Sequence, residues 1–317
     1  MLCFFRYPLK NRGECDKIKK KPLGDYAMYK DILGKTRQKV ALHMHTNLSD
    51  GKKTPAEAAE IYKSAGYDAI AFTDHWHYHK AGEINGVKII SGVEYDVGGR
   101  RTQTGVFHIL GLFMRRDPEV IKSTDDAQTI INKIHAVGGL AVLAHPAWSL
   151  NTPEMIMALE GFDATEIYNA VSEVEQSFRP DSSIIVDMIA SKGRRYPLLA
   201  TDDAHYFDGR DNCRGYIMVE SETAEPEALK EAIAEGRFYA SQGPEVHLLR
   251  DGDGFRVVCS PCSHVYFASN SPWCVRAKHG EGLTEARYTP LDNDLYVRAF
   301  VIDESGRTAW SNIISLD

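Results

Sequence analysis

Histidine and carboxylate residues recur at the ends of short apolar runs in this chain. The run Val40–His45 ends in His43-Met44-His45, and alternate side chains of a strand lie on the same side, so both imidazoles would face one way. Other runs end in or carry the same residue types, namely Asp74, His75, Glu94, His108, His145, Asp203 and His205. Imidazole and carboxylate are ligands that suit zinc, iron and manganese. The pattern therefore indicates metal chemistry.

The elements that must position these residues follow an α/β pattern, because short β-rich runs alternate with helical patterns. The predicted strands are Val40–His45, Asp68–His75, Lys88–Val97, Gly105–Phe113, Leu140–Ala147, Asp163–Ala170 and Tyr196–Asp203. Helices are predicted after Thr54-Pro55, over residues 124–137 and over Pro226–Glu235. About seven such units in one run favour a barrel, in which the carboxyl ends of the strands form one rim. The histidines and carboxylates are expected to meet at that rim.

Three segments differ in their pattern. The first segment, residues 1–38, is rich in Lys and has weak periodicity, which indicates an N-terminal arm that packs on the barrel. Residues 39–243 carry the barrel pattern. After Gly243-Pro244 only strand-like runs and turn signals follow. Residues 244–317 are therefore predicted to form a small antiparallel β-sandwich.

The composition excludes several classes of protein. The chain has 317 residues and a net charge of -7, without the basic footprint of a nucleic-acid binder, so no nucleic-acid polymer is expected as a partner. No apolar run approaches the ~20 residues of a membrane helix, so no membrane partner is expected. Six scattered cysteines indicate reduced thiols and a cytoplasmic location. The sequence does not predict the oligomeric state.

One cysteine pair could have a separate role. Cys259 and Cys262 have the spacing of half a zinc site. A second well-spaced pair is missing, so buried reduced thiols are the simpler interpretation.

Seven motifs in order resemble the PHP family, named for polymerase and histidinol phosphatase domains. They are LHMHTNLSDG at 42–51, AFTDHW at 71–76, GVEYD at 92–96, FHILGL at 107–112, LAHPAW at 143–148, ATEIYN at 164–169 and TDDAH at 201–205. The resemblance implies a distorted (β/α)7 barrel that holds two or three divalent metals, Zn, Mn or Fe. The segment GRFYASQGPEV at 236–246 resembles a stand-alone branch with a small C-terminal β domain, whose members are mostly called predicted metal-dependent phosphoesterases.

The resemblance also implies a ligand set. One metal would be held by His43, His45, Glu94 and Asp203. Glu94 would bridge to a second metal held by His108 and His145, and Asp50, His75 and His205 would hold a third. Many family members have His at the position of Asp50, which puts the occupancy of the third site in question.

The expected function is a metal-dependent phosphoesterase that hydrolyses a small phosphate monoester or nucleotide-like substrate through a metal-bridging hydroxide. The same metal site cleaving a carbamate, ester or amide is an alternative, and a non-catalytic metal-binding regulatory module is another. Removal of phosphate-gripping arginines would separate the first two, because it should affect only a phosphatase.

Supporting roles fall to residues near the predicted rim. His77 and His79 are candidate acids for the leaving group, and Arg100, Arg101, Arg210 and Arg214 are candidate phosphate ligands. An exposed loop or a solvated turn is the structural alternative for each of them. Asp74, Glu166, Asn169 and Asp202 are candidates for orienting the ligand imidazoles.

Overall fold

The computed structural model describes residues 29–98, 105–118, 121–174, 177–273 and 275–316. Its strands are β1 (Arg37–Ala41), β2 (Ala69–Ala71), β3 (Gly82–Ile84), β4 (Val87–Ile90), β5 (Gly92–Val97), β6 (Phe107–Leu112), β7 (Leu140–Leu143), β8 (Ala164–Asn169), β9 (Leu198–Thr201), β10 (Tyr216–Glu220), β11 (Phe238–Ser241), β12 (Val246–Asp251), β13 (Gly254–Ala268), β14 (Ala277–Tyr288), β15 (Tyr296–Ile302), β16 (Thr308–Trp310) and β17 (Ile314–Ser315). Its helices are α1 (Pro55–Ser64), α2 (Ala127–Ala136), α3 (Pro153–Met157), α4 (Val171–Val174), α5 (Ser183–Ser191) and α6 (Pro226–Ala234). Residues 1–28 of the predicted arm lie outside the described ranges.

The helix predicted after Thr54-Pro55 is confirmed, and the helix predicted over residues 124–137 is present as the shorter α2. Thr54 caps α1 through a reciprocal pair of hydrogen bonds with Glu57, and Pro55 occupies the first turn. Asp126 caps α2 by accepting from the amide of Thr129. No helix among the described residues is long and apolar enough to span a membrane.

Hydrogen bonds order the strands into two mixed sheets. The larger sheet runs β12-β13-β15-β16-β11-β10-β1-β2-β4-β3, with β14 paired to β13 and β17 paired to β15. The smaller sheet runs β5-β6-β7-β8-β9. The pairs β1–β2, β2–β4, β7–β8 and β8–β9 are parallel. The class is therefore α/β, as predicted.

The predicted seven-unit barrel is not confirmed, because the two sheets do not close on each other. Within the described ranges only isolated bridges connect them: Met44 with Ala204, His75 with Glu94, and His79 with Gly92. These bridges involve or adjoin residues of the predicted metal site. The two sheets therefore meet at the candidate site without forming a continuous ladder.

The predicted strand Lys88–Val97 is wrong as a single element. It is divided at Ser91 into β4, which pairs with β2, and β5, which pairs with β6. Ser91 bonds Met114 O through its hydroxyl at 2.7 Å, and its carbonyl accepts from Phe113 N. At Gly92 an added Cβ would lie 2.5 Å from the carbonyl oxygen of Phe72, so only glycine allows the chain to change sheets there.

The direction of β6 also differs from the prediction of parallel units, because β6 is antiparallel to both β5 and β7. The connection from β5 to β6, residues 98–106, is shorter than the dozen or so residues that a parallel crossover needs. As a result the start of β6, which carries His108, lies at the edge where β5 and β7 end.

The main core fills the space between the two sheets. It combines residues of the larger sheet, such as Val40 and Ile217, with residues of the smaller sheet, such as Val142 and Leu198. A second cluster packs α2 against β6 and β7 through Ile130 and other apolar residues. This double-sided packing fixes the strand edge on which the histidines lie.

Among the described residues, the C-terminal strands β12–β17 pair only in antiparallel fashion, and they continue the larger sheet. Strand β16 pairs with β11 on one side and β15 on the other. Side chains also connect the C-terminal strands to the helices, because Arg298 binds Asp187 of α5 with two bonds of 2.8 and 2.7 Å. The division into an arm, a barrel and a sandwich stays a prediction.

A buried polar cluster fastens residues 29–37 to β12. Asp31 accepts a 2.6 Å bond from Arg37, and Glu245 accepts from Tyr29, from the amide of Ile32 and from His247. Asp31, Glu245 and His247 are close enough to hold a metal. Their hydrogen bonds to neighbouring donors account for the cluster as a structural network.

Candidate metal centre

The histidines and carboxylates lie at one edge of the two sheets, but several lie beyond the strands rather than in them. Strand β1 ends at Ala41, so His43 and His45 follow it, and β7 and β9 end before His145 and Asp203. The last two adopt left-handed backbones, with φ of 26° and 52°. Such angles are costly for residues other than glycine. Neighbouring contacts must therefore hold these residues in place.

Four side chains converge on a common point, and we call them the His43 group: His43, His45, Glu94 and Asp203. All are buried, with exposures of 0 to 5%. The two Nε2 atoms lie 3.3 and 3.0 Å from Glu94 Oε2 and 3.2 and 3.1 Å from Asp203 Oδ1. Ligand atoms about 2.0–2.1 Å from a metal stand about 3.3 Å apart in a tetrahedron. The spacing fits one cation inside the group.

Hydrogen bonding supports this fit independently. His43 Nδ1 lies 2.7 Å from Glu166 Oε1, so Nδ1 carries a proton for this bond and the lone pair of Nε2 is free to bind metal. Asp203 Oδ1 is buried and has no hydrogen-bond partner among the described residues. Buried polar atoms are rarely left without a partner. A cation at this point would satisfy the nitrogen and oxygen atoms together.

The His108 group consists of His75, Glu94 and His108. His108 Nδ1 lies 2.8 Å from Glu94 Oε1, and His75 Nδ1 lies 3.4 Å from Glu94 Oε2. His145 Nε2 approaches the same Oε1 at 3.4 Å, which adds a fourth side chain. Glu94 therefore has both oxygens in contact with histidines of two groups, as a bridging carboxylate would.

The Asp50 group consists of His45, Asp50, His75 and His205. His205 Nε2 lies 3.4 Å from Asp50 Oδ1, and His75 Nε2 lies 4.0 Å from Oδ2. The Asp50 side chain is 49% exposed, whereas that of Glu94 is 1% exposed. This group is therefore wider than the His43 group and faces solvent.

The electrostatics of the edge favour cations. Burial raises the pKa of Glu94 and of Asp203, but the surrounding imidazoles outweigh burial and hold both well below the usual value. Burial lowers the pKa of His43, while Asp203, Glu94 and Glu166 raise it more, to well above the usual value. The carboxylates are thus ionised and the cluster attracts positive charge. A metal that binds there displaces protons.

The side chains predicted to orient the imidazoles have different contacts. Glu166 accepts from His43 Nδ1, from the His145 amide at 2.8 Å and from Asn169 Nδ2 at 3.0 Å. Asn169 also reaches Asp203 Oδ2 at 3.2 Å. Asp202 turns away from the histidines. It binds Tyr62 and three backbone amides at residues 213–215, so it anchors a loop.

Asp74 is the centre of a further network. Its Oδ1 accepts from Thr46 N and Ser49 Oγ, both at 2.7 Å. Its Oδ2 lies 2.6 Å from Thr46 Oγ1 and 2.6 Å from His79 Nε2. His79 is therefore hydrogen-bonded to Asp74. The His77 ring packs against the His79 ring with a centroid distance of 5.0 Å. Neither histidine belongs to the three groups of ligand atoms.

Two of the candidate phosphate ligands, Arg210 and Arg214, are paired with carboxylates and are not free cations beside the histidines. Arg214 binds Glu173 at 3.0 Å and the carbonyl oxygen of Arg210 at 2.9 Å. Arg210 makes two bonds to Asp208, of 2.9 and 2.7 Å. Arg100 and Arg101 lie outside the described residues.

Sequence reasoning missed three residues beside the ligands. Ser49 Oγ lies 3.3 Å from His45 Nδ1, and Ser149 Oγ lies 3.0 Å from His145 Nδ1. The Trp148 ring packs edge-on against His108 and His145, with centroids 5.3 and 4.9 Å away. Each serine lies four residues after its histidine, which is the only signal that the sequence offered.

The cysteine pair shows no sign of a zinc site. Cys259 and Cys262 are buried with their sulfur atoms 3.6 Å apart, and neither belongs to a candidate metal group among the described residues. Burial raises the pKa of both thiols, which favours the protonated form.

The comparisons with known proteins place the fold and the family. A two-domain protein from Bacteroides vulgatus, described as containing a predicted PHP-like metal-dependent phosphoesterase, superposes with a TM-score of 0.51 at 15% identity, over 92% of this chain and 99% of the other. The PolC-type DNA polymerase III of Streptococcus mutans is 34% identical over 73 residues, which are 20% of this chain and 5% of the polymerase. The match thus spans a small part of the polymerase.

One comparison corrects the sequence analysis, which expected no nucleic-acid polymer as a partner. A matching Endonuclease Q chain was solved in complex with a 27-mer duplex substrate with an abasic lesion at the active site. It is 20% identical and covers 63% of this chain and 57% of its own length, with a TM-score of 0.46. The exclusion of nucleic-acid polymers is wrong on physical grounds, since the net charge of the whole chain does not report the local charge of a metal site. The PHP domain model matches residues 41–290, well over half of the molecule, and the chain belongs to the PHP domain family.

Proposed function

We propose that the chain hydrolyses a phosphoric ester, with a phosphate monoester or nucleotide-like compound as its substrate. The observation that carries the proposal is the position of Glu94. Its Oε2 lies 3.0 Å from His45 Nε2 in the His43 group, and its Oε1 lies 2.8 Å from His108 Nδ1 in the His108 group. One carboxylate shared by two ligand groups supports neighbouring metals, which is the arrangement used for in-line displacement at phosphorus.

The charge of the site supports an anionic substrate. Its three groups contain three carboxylates, Asp50, Glu94 and Asp203, and otherwise only histidines. Two or three divalent cations carry more positive charge than these carboxylates cancel. The excess would be available to the non-bridging oxygens of a phosphoryl group. A neutral amide or ester has no corresponding charge in its ground state.

The protein side chains have distinct tasks in this proposal. When bound, the metals would lower the pKa of water and polarise the phosphoryl group. Glu166 and Asn169 orient His43 and Asp203, and Glu94 is buried where the two groups meet. Substrate would enter beside Asp50, because this ligand is half-exposed while the His43 group is buried.

The deciding experiment compares three esters of p-nitrophenol: the phosphate, the phosphate diester and the acetate. Wild type loaded with Mn²⁺, Zn²⁺ or Fe²⁺ is compared with Glu94→Gln and with Glu60→Gln, an exposed control on α1. We expect hydrolysis of the phosphate by wild type and the control, and loss in Glu94→Gln. Metal binding together with turnover of the acetate alone would overturn the phosphoesterase proposal.

Arg100 and Arg101 remain candidates for phosphate binding. Their replacement by Ala should raise KM for the phosphate and leave any acetate turnover unchanged. Unchanged KM for the phosphate would remove them from the proposal.

A further inference from the structure

His45 belongs to two ligand groups at once. Its Nε2 takes part in the His43 group, and its Nδ1 side faces Asp50, whose Oδ1 is 3.6 Å away. A neutral imidazole has one lone pair and one N–H. The position of that proton therefore decides which group His45 serves.

The hydroxyl of Ser49 lies where it can fix which nitrogen of His45 carries the proton. Its Oγ is 3.3 Å from His45 Nδ1, 2.7 Å from Asp74 Oδ1 and 3.1 Å from Asp50 Oδ1. A hydroxyl has one proton to donate. The shortest of the three contacts is the one to Asp74, so the proton of Ser49 is directed there and a lone pair remains for His45 Nδ1–H.

The contacts of Asp74 keep the hydroxyl proton of Ser49 directed toward its carboxylate. It is fully buried, and it also accepts from the amide and hydroxyl of Thr46 and contacts His79 Nε2 at 2.6 Å. Bonds to an ionised acceptor are stronger than bonds between neutral groups. The distance from His45 Nδ1 to Asp50 is too long for a competing hydrogen bond.

We infer that Ser49, oriented by Asp74, is a positioning residue that assigns His45 to the His43 group. The inference rests on the metal centre of the proposed function. It follows that the Asp50 group keeps Asp50 and His205 and shares His75 with the His108 group, so it holds its metal more weakly than the buried group does. Loss of a hydrogen bond to a ligand imidazole lowers metal affinity about 10–100-fold.

The test measures Zn²⁺ binding to chelator-stripped protein by competition with a chromophoric chelator, for wild type, Ser49→Ala and Ser49→Thr. We expect Ser49→Ala to weaken a tight site by about 10–100-fold and Ser49→Thr to restore it. Two matched controls locate the effect. Ser149→Ala removes the hydroxyl beside His145, so it should spare the site that His45 serves, and Asp50→Asn should weaken only the weakest site.

A second readout follows the imidazole itself. In ¹⁵N-labelled, Zn²⁺-loaded wild type, His45 should show a protonated Nδ1 and a metal-bound Nε2. In Ser49→Ala the Nδ1 proton should exchange faster with water. Unchanged Zn²⁺ affinity together with an unchanged His45 signal in Ser49→Ala would overturn the inference, as would a wild type with equal affinity at all sites.

The inference and the proposed function fail in different ways. A protein that binds Zn²⁺ as described but hydrolyses no phosphate ester supports the role of Ser49 and contradicts the phosphoesterase. A protein that hydrolyses the phosphate ester, and whose Zn²⁺ affinity is unchanged by Ser49→Ala, supports the phosphoesterase and contradicts the role of Ser49.

Discussion

His43 Nδ1 lies 2.7 Å from Oε1 of Glu166, and both side chains are fully buried. The second oxygen of Glu166 accepts from the His145 amide and from Asn169. One carboxylate thus fixes the imidazole of one ligand and the backbone of another. This relationship makes Glu166 a support shared by the His43 group and the neighbouring His145.

Glu166→Gln should therefore weaken metal binding without removing a ligand. Glutamine keeps one acceptor oxygen, so its NH₂ would face a donor at His43 or at the His145 amide. We expect metal affinity to fall about 10–100-fold, measured by chelator competition. Glu173→Gln is the matched control, because Glu173 contacts Tyr168 and Arg214 rather than the ligand groups. Equal affinity in the two variants would contradict the role of Glu166.

Glu94→Gln should have a larger effect, because Glu94 contributes to two groups. We expect the metal content per chain to fall, and kcat/KM for the phosphate ester to fall by more than about 100-fold, beyond the loss expected for an outer hydrogen bond. Elemental analysis and steady-state kinetics measure the two quantities. A variant that keeps its full metal content would show that Glu94 does not bridge.

The pairing of Arg298 with Asp187 should contribute to stability. Arg298 is 1% exposed, so Asp187→Ala leaves a buried charge without its partner and should lower the free energy of unfolding by about 3 kcal/mol. Replacing Arg298 by Met in the same chain should restore part of this loss. Arg287→Met is the control, since Arg287 forms an exposed pair with Asp251 and should cost at most about 1 kcal/mol. Urea unfolding of metal-free protein measures each value.

Acid should weaken the cluster that fastens residues 29–37. Burial raises the pKa of Asp31, but the Arg37 guanidinium and backbone amides lower the pKa by more than burial raises it. The pKa of Asp31 in the folded protein therefore lies below the usual value. A lowered folded-state pKa gives stability that is present above the unfolded value of about 3.9 and is lost as the pH falls through the folded-state pKa.

Asp31→Asn should therefore lower the free energy of unfolding at pH 7 by about 1.5–3 kcal/mol, the range for hydrogen bonds to charged groups. The difference from wild type should shrink at a pH below the folded-state pKa of Asp31, where both side chains are uncharged. Urea unfolding at the two pH values measures it, with Asp253→Asn as an exposed control. A difference that is the same at both pH values would show that the charge of Asp31 is not the cause.

The sequence predicted the α/β class of the fold, and it singled out histidines and carboxylates that the structure brings together, because both depend on local patterns. The H-x-H pair at His43 and His45 and the Asp-x-His pair at Asp203 and His205 are visible without any structure. Their placement was harder to predict, because apolar periodicity continues past the last ladder bond. The predicted strands therefore extended through His45 and Asp203, which the structure places after β1 and β9.

Contacts between distant segments account for the remaining differences. The change of sheet at Ser91 depends on Phe113 and Met114, more than 20 residues away. Ser49 gains its role only because the fold brings Asp74, which follows β2, into contact with it. A sequence pattern depends on neighbours along the chain, whereas these two positions are defined by neighbours in space.

The continuity of the larger sheet has a consequence for any shortened form of the protein. Strand β11 pairs with β16, and β16 pairs in turn with β15. A chain cut after Gly243 would expose the hydrogen-bonding groups of β11 as an open edge, which is a template for association with other strands. In the structure β16 covers this edge, so we expect the shortened form to associate more readily than the longer one.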